Sequence, residues 1–332
     1  MPVWVVPAFV GSAVISLLAG HQLVKALESL GERWAAPQVL LGLAAALAAD
    51  GPELTSAVTA QLEGQHSIGV GVLFGSNVFN IAALLGVGAI VAGPVRFHRR
   101  AVLLEGTVAL GVTAGSVALV EGSLPVGACL AVTAAFLVPY VVVAAVPSQH
   151  LPLPRGARDW LAAAVREESE DLEGGYPASP VRGAGREGLT AVSAVLVVVA
   201  ASVVMERSAS VAGEALGAPA VIVGAVVLAA VTSLPNVVAA VYLARAGKGA
   251  AMLSEAMNSN TLNVVGGLVV PAAIVGVGAG HLSGGGQLTV WAYAAMTVAA
   301  LGLGLAGRGM SRTVGAVLVG VYLAFVATLL AT

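Results

Sequence analysis

Residues 49–53, Ala-Asp-Gly-Pro-Glu, and 75–80, Gly-Ser-Asn-Val-Phe-Asn, occur a second time as Thr-Ser-Leu-Pro-Asn at 232–236 and Asn-Ser-Asn-Thr-Leu-Asn at 258–263. The repeat extends outward from these stretches. Residues 38–92 align without a gap on 221–275 at a constant offset of 183. Ala46 falls on Ala229, Pro52 on Pro235, Ala57 on Ala240 and Gly64 on Gly247, while Ser76, Asn77 and Asn80 fall on Ser259, Asn260 and Asn263. Identity elsewhere is low, so the match rests on prolines, polar groups and a loop glycine set within apolar stretches. Duplicated apolar helices that are broken and carry polar groups point to a transporter.

Composition places those stretches in a bilayer. The chain has 332 residues, 58% of them hydrophobic and 10% charged, with a mean hydropathy of +0.96; a soluble domain is usually about a quarter charged. Apolar segments recur at 3–20, 37–61, 67–92, 101–120, 124–146, 188–205, 219–244, 250–276, 286–306 and 313–331. Each is about long enough to cross a hydrocarbon core of ~30 Å, which predicts ten spans. Met1–Gly20 has neither a basic n-region nor a convincing small-residue cleavage site, so it is expected to be a span rather than a signal peptide. The lone Cys129 lies within a span and excludes an internal disulfide.

Charge distribution gives an orientation. Lys25 and Arg33 follow the first span, Arg96, Arg99 and Arg100 the third, and Arg155, Arg158, Arg166, Arg182 and Arg186 the fifth. Arg245 and Lys248 follow the seventh, and Arg308 and Arg312 the ninth. Fourteen of the fifteen basic residues thus occupy alternate loops, with Arg207 on the opposite side. By the positive-inside tendency those loops are cytoplasmic and both termini are outside. Spans two and seven are an odd number of crossings apart, so the two copies are expected to enter the membrane from opposite sides, which brings their polar segments together near the midplane. The polar segment 147–187 between the halves reads as a cytoplasmic linker with a short helix around Arg158–Glu170. Its acidic run Glu167, Glu168, Glu170, Asp171 and Glu173 reads as a solvated charge run rather than a calcium sensor.

The chemistry lies in four segments. Asp50 and Glu53 are three residues apart and share a face of any helix that persists there. Pro52 donates no backbone hydrogen bond, so carbonyls around 46–49 are expected to be freed toward a ligand or water. The second copy repeats the break with Thr232, Ser233 and Asn236. Ser76 with Asn80, and Ser259 with Asn263, are spaced at i, i+4. Carboxylates, carbonyls, amides and hydroxyls without His, Cys or a basic residue make an oxygen-only site, which suits Ca²⁺, Na⁺ or Mg²⁺ rather than zinc or copper. Ser56, Asn77 and Asn260, each taken alone, read rather as bridges between helices. The carboxylates do not, since an ionised Asp or Glu near the bilayer centre costs at least ~2.5–3.5 kcal/mol and is retained mainly for function. Two like charges one turn apart are further expected to let protons compete with cations. Glu105, about a turn from Arg100, reads as an interfacial ion pair, and the five histidines fall in loops or span ends.

The quoted motifs resemble the two α-repeats of the sodium/calcium exchanger (calcium/cation antiporter) superfamily, over roughly the two repeats. That resemblance implies exchange of Ca²⁺ against Na⁺, K⁺ or H⁺ through a central four-helix diamond. It assigns Glu53 as the first-repeat acidic residue, Ala46 and Ala229 as carbonyl ligands, and Ser76, Asn80, Ser259 and Asn263 as polar ligands. The sequence departs from the pattern at three places. Ala49-Asp50 stands where Thr-Ser is usual, Asn236 stands where the second glutamate is usual, and Glu255 lies one turn before Ser259 where the first copy has Val72. The first two changes compensate in charge, leaving −2 on Asp50 and Glu53. Glu255 is expected to line a cytoplasmic-side vestibule or to act as a third acidic ligand, against the alternative of an interfacial carboxylate.

The expectation is therefore an all-α membrane protein of ten transmembrane helices in two inverted five-helix repeats, with halves 1–146 and 188–332 joined by the linker 147–187. Its expected function is secondary-active antiport of Ca²⁺ against Na⁺ or H⁺ in an inner or plasma membrane; the alternative is a non-transporting or altered-specificity cation sensor on the same fold. No enzymatic activity, cofactor, nucleic acid or obligate protein partner is implied. An intramembrane protease would need an aspartate dyad or a Ser/His pair, but Asp50 is the only Asp within a span and no span centre holds a His.

Overall fold

A bilayer core offers no water to backbone polar groups, so apolar segments satisfy them internally as helix. A computed structural model describes residues 2–33, 38–172, 184–245, 247, 249–275, 282–307 and 309–332. Glu173, Arg182, Lys248, His281 and Arg308 lie outside the described residues. The first half runs α1 (Val5–Arg33), α2 (Gln38–Ala49), α3 (Gly51–Leu62), α4 (His66–Asn80), α5 (Gly88–Ala92), α6 (Arg99–Val120) and α7 (Val126–Ala145). Helix α8 (Arg155–Leu172) follows, in place of the shorter linker helix expected around Arg158–Glu170. The second half runs α9 (Ala184–Leu216), α10 (Ala220–Ile222), α11 (Ala229–Thr232), α12 (Leu234–Arg245), α13 (Gly249–Val264), α14 (Val270–Val275), α15 (Gly284–Gly307) and α16 (Arg312–Leu330).

Among the described residues, seven stretches are long and apolar enough to cross a membrane: Val5–Leu27, His66–Ala92, Arg99–Val120, Val126–Ala145, Gly185–Leu216, Gly284–Gly307 and Arg312–Leu330. The other three expected spans, 37–61, 219–244 and 250–276, are helical over most of their described residues but interrupted. Asp50 separates α2 from α3, Ser233 separates α11 from α12, and a π-helical turn, Val265–Val269, separates α13 from α14. Proline and polar side chains account for the first two breaks, because Pro52 and Pro235 cannot continue the hydrogen-bond ladder. One boundary differs substantially. The sixth span, expected to end at 205 before the charged pair Glu206-Arg207, continues as α9 to Leu216.

The two copies break alike. Asp50 adopts φ −80°, ψ −2° and Ser233 φ −83°, ψ 2°. The turns that follow α3 and α12 both use a left-handed glycine, Gly64 at φ 77° and Gly247 at φ 74°, a conformation that other residues adopt only with strain. Both polar helices then run into π-helical turns, Ile81–Val87 and Val265–Val269, features that occur frequently beside functional sites. Gln61 holds the second of these by donating Nε2–H to the Gly267 carbonyl at 2.6 Å.

The segment His66–Ala92 is buried over nearly its whole length and forms the centre. It crosses the turn Val223–Leu228 backbone to backbone: a Cβ on Gly75 would lie 2.5 Å from Ala225 Cα. Small residues permit such approaches, and close packing drives association where lipid is as apolar as protein. Helices α1 and α9 lie against each other and, with α7, α15 and α16, present Val10, Leu18, Leu189, Leu196, Val138, Trp291 and Leu323 outward. Val95–Arg96 pairs antiparallel with Gly309–Met310, joining the loops before α6 and α16. Helix α8 packs on α2, α6 and α13. There Arg100 pairs with Glu167 at 3.1 Å, and Glu105 is buried. Cys129 is buried with its Sγ 3.4 Å from the Gly115 carbonyl, a packing role.

Candidate cation site

Four elements converge on one buried cluster. The break between α2 and α3 supplies Asp50, and the first turn of α3 supplies Glu53. The equivalent break supplies Thr232, Ser233 and Asn236. Helices α4 and α13 supply Ser76, Asn77, Asn80, Ser259, Asn260 and Asn263, whose spacings of three and four residues put them on one side of each helix. Every one of these side chains is at most 2% exposed.

The carboxylates of the first copy are held by donors of the second. Asp50 Oδ1 accepts from Asn236 Nδ2 at 3.1 Å and from Ser259 Oγ at 2.9 Å. Glu53 Oε1 accepts from the Ser233 hydroxyl, and Glu53 Oε2 accepts from Asn263 Nδ2 at 2.5 Å. Asn80 Nδ2 donates to Ser259 Oγ and Asn260 Oδ1, both at 3.2 Å, and Asn80 Oδ1 is 3.3 Å from Asn236 Nδ2. Asn77 and Asn260 bridge α4 and α13 reciprocally: each amide donates to the other's backbone carbonyl, at 3.1 and 3.0 Å. Asn77 Oδ1 also accepts from Asn263 Nδ2 at 3.2 Å. Hydrogen bonds to ionised acceptors are about twice as strong as neutral ones, so this network fixes both carboxylates without a basic residue.

Several buried oxygens have no hydrogen-bond partner, namely Asp50 Oδ2, Ser56 Oγ and Asn263 Oδ1. Such groups cost free energy unless something binds them. Among the described residues no cluster of three or more His, Cys, Asp or Glu occurs; the donors here are two carboxyl groups with hydroxyls and amides, carrying −2 when both carboxyls are ionised. That donor chemistry fits a divalent cation with oxygen ligands, or two monovalent ones.

The backbone differs in detail from the expectation. The Ala46 carbonyl accepts from Asp50 N–H at 2.9 Å, and the Ala229 carbonyl accepts from Ser233 N–H at 3.1 Å and from Thr232 Oγ1 at 3.3 Å. Neither is freed by the proline. The carbonyls that lose their helical donor are Ala48 and Val231, four residues before Pro52 and Pro235. Thr232 Oγ1 also reaches the Leu228 carbonyl at 2.9 Å, and Ser76 Oγ donates to the Leu73 carbonyl at 3.0 Å, so both hydroxyls are bonded back to their own helices. Glu255 lies one turn before Ser259 and is half-buried, outside the fully buried centre.

One buried carboxylate escaped the sequence reading. Glu206 is 0% exposed within α9; a four-residue rhythm of Ser202, Glu206, Ser210 and Glu214 was the available signal.

Residues 4–147 and 188–331, most of the chain, match the family described as sodium/calcium exchanger protein. The chain belongs to this exchanger family. It is accordingly an integral membrane protein. A curated relative, the putative antiporter CaxA of Alkalimonas amylolytica, is 33% identical over 93 residues, which is 27% of this chain and 29% of the relative. The crystal structure of the H⁺/Ca²⁺ exchanger CAX superposes with a TM-score of 0.72 at 13% identity, covering 98% of this chain and 86% of that one. The sodium-calcium exchanger NCX_Mj gives a TM-score of 0.61 at 17% identity, with 99% of each chain covered. At these identities the likeness establishes the exchanger fold.

Proposed function

We propose that this exchanger-family chain is a secondary-active antiporter that moves Ca²⁺ against Na⁺ or H⁺ by alternating access, with the Asp50–Glu53 cluster as its binding site. The observation that carries the reading is the clamp itself: two buried carboxylates of one copy tied to Ser233, Asn236, Ser259 and Asn263 of the other. Both neighbours by fold, an H⁺/Ca²⁺ exchanger and a sodium-calcium exchanger, agree with it.

Charge explains why such a site exchanges rather than leaks. With both carboxyls ionised the bare pair carries −2, and burying uncompensated charge is costly. One Ca²⁺, or two monovalent cations, brings the buried site to zero. Only the loaded site can therefore be passed cheaply between the two faces, and each ligand lowers the other's affinity by the same factor. On Ca²⁺ entry, rotation of the Asn236 and Asn263 amides would replace N–H with Oδ1, while the Ser233 and Ser259 hydroxyls would turn their lone pairs inward. The carbonyls of Ala46, Ala48, Ala229 and Val231 lie at the two breaks and complete the candidate shell; Glu255 serves the approach from the linker side.

The reading includes ten spans in two inverted five-helix repeats, halves 1–146 and 188–332, a cytoplasmic linker 147–187, termini outside, and an inner or plasma membrane location. Contacts between loops support it. Those expected on the linker side meet one another, Val95 with Met310 and Arg100 with Glu167. Those expected opposite do likewise: Arg207 meets Glu63, and residues of the α3–α4 turn share a cavity with Ser210, Glu214 and Leu282.

A non-transporting sensor is the second reading, favoured by Asn236 alone. Its contact with Asp50 argues for relocated rather than lost charge. The test is uptake of radiolabelled Ca²⁺ into proteoliposomes against imposed Na⁺ and H⁺ gradients. Glu53→Gln should abolish both flux and Ca²⁺-dependent thermal stabilisation. Unchanged flux in that variant would remove Glu53 from the site, and binding without flux in the parent would establish the sensor.

A further inference from the structure

Helix α9 carries Val198, Ser202, Glu206, Ser210 and Glu214 at four-residue intervals. Neighbours in such a row are rotated by only about 40°, so each faces nearly the same seam as the next. Contacts identify the seam. Val198 abuts Gly51, beside Asp50, where a Cβ would lie 3.3 Å from Val198 Cγ1. Ser202 Oγ is 3.0 Å from Ser16 Oγ on α1. Ser210 donates to Gln65 Oε1 at 2.8 Å, in the α3–α4 turn. Ser210 and the exposed Glu214 line a cavity of about 420 Å³ with Gly64, His66 and Ser67.

Glu206 occupies the middle of this row, one turn from Ser202 and one from Ser210, and about 12 Å along the axis from Val198. It is fully buried, and neither of its carboxyl oxygens has a hydrogen-bond partner. The adjacent Arg207 is engaged elsewhere: its Nη2 and Nε lie 2.6 and 2.8 Å from Glu63 Oε1. Glu63 and Arg207 are the charged groups that act on Glu206, and neither satisfies its oxygens. A buried carboxyl without donors, in a helix that borders the cation site, marks an ion path rather than packing.

We infer that Glu206 is an outer cation station on an access path between this cavity and Asp50, binding a small hard cation of the transported class. The inference rests on the antiporter reading and extends it. The row itself offers a carboxylate flanked by serine hydroxyls, oxygen donors of the kind that suit hard cations. A single carboxylate holds a cation more weakly than the centre's pair, as a station must if the ion is to enter and also leave.

The test uses the full chain in oriented proteoliposomes, with Ca²⁺ offered on either face. Glu206→Gln should raise the half-saturating Ca²⁺ concentration at the face bearing Glu63 and Glu214 by about tenfold or more, as expected when a focusing charge is removed. The value at the linker face, and the Ca²⁺-induced thermal shift of the purified protein, should stay as in the parent. Glu214→Gln should give a smaller change on the same face. No outer-face change, or equal changes on both faces, would overturn the station. If Glu206→Gln does not fold, Glu214→Gln decides: its side chain is exposed, and an unchanged outer-face value in it would overturn the path. A parent with flux and an unaffected Glu206→Gln refutes this inference alone, whereas a parent without flux refutes the antiporter reading beneath it.

Discussion

Asp50 and Asn236 are 3.1 Å apart through Oδ1 and Nδ2, so a charge moved from one break to the other stays within a single cluster. Asp50→Ser should therefore weaken Ca²⁺ binding strongly, and Asn236→Glu added to it should recover much of the loss at constant total charge. Contacting residues commonly couple by about 0.5–3 kcal/mol, and thermal shift against Ca²⁺ concentration, with flux beside it, measures the cycle. If the double variant behaves like Asp50→Ser alone, the two positions do not share a ligand. Asp50 and Glu53 were legible because a carboxylate in an apolar run has few other reasons to be there. The carbonyls were less so. Which oxygen a proline frees depends on where the ladder resumes, and here Leu54 N–H returns to Asp50 and Asp50 N–H to Ala46, which leaves Ala48 rather than Ala46 without its helical donor.

Among the elements, α4 and the π-helical turn Val223–Leu228 are separated by no more than backbone. A Cβ on Gly75 would meet Ala225 Cα at 2.5 Å and its carbonyl oxygen at 2.7 Å. Gly75→Ala should destabilise the protein by about 1–3 kcal/mol despite alanine's better helix propensity, because the clash is with backbone that cannot rotate away. Gly320→Ala is the control. Nothing lies within 4 Å of a Cβ there, so α16 should be unchanged or gain up to ~1 kcal/mol. Thermal unfolding in one detergent compares them, and equal melting points would refute the close approach. The variant next to Ser76 should also lose Ca²⁺-induced stabilisation. Element boundaries were readable where apolar runs met polar turns, as at Arg99–Val120 and Arg312–Leu330. The expected end at 205 falls short because Glu206-Arg207 looks like an aqueous flank. In the structure Glu206 is buried and Arg207 reaches Glu63 at 2.6 Å, so tertiary contacts carry the helix on to Leu216.

For the whole molecule, hydropathy and charge count different things. Length and hydropathy find seven crossing stretches among the described residues, and breaks at Asp50 and Ser233 divide two of the segments that hold the polar cluster. The alternation of basic loops instead predicts ten crossings, since losing one before them would put Arg245 and Lys248 on the side of Arg207. Equivalent positions of the two copies discriminate between these counts. Leu62 ends α3 and Arg245 ends α12; they are related by the repeat offset, and both are exposed. In a Cys129→Ala background, Leu62→Cys should react with a membrane-impermeant maleimide in intact cells, while Arg245→Cys should react only after permeabilisation. Leu153→Cys in the linker should behave like Arg245→Cys. Labelling of Leu62→Cys and Arg245→Cys from one face would mean that the copies run parallel. A two-fold axis in the membrane plane would then be lost, and with it the reason for one cluster to open to either side in turn.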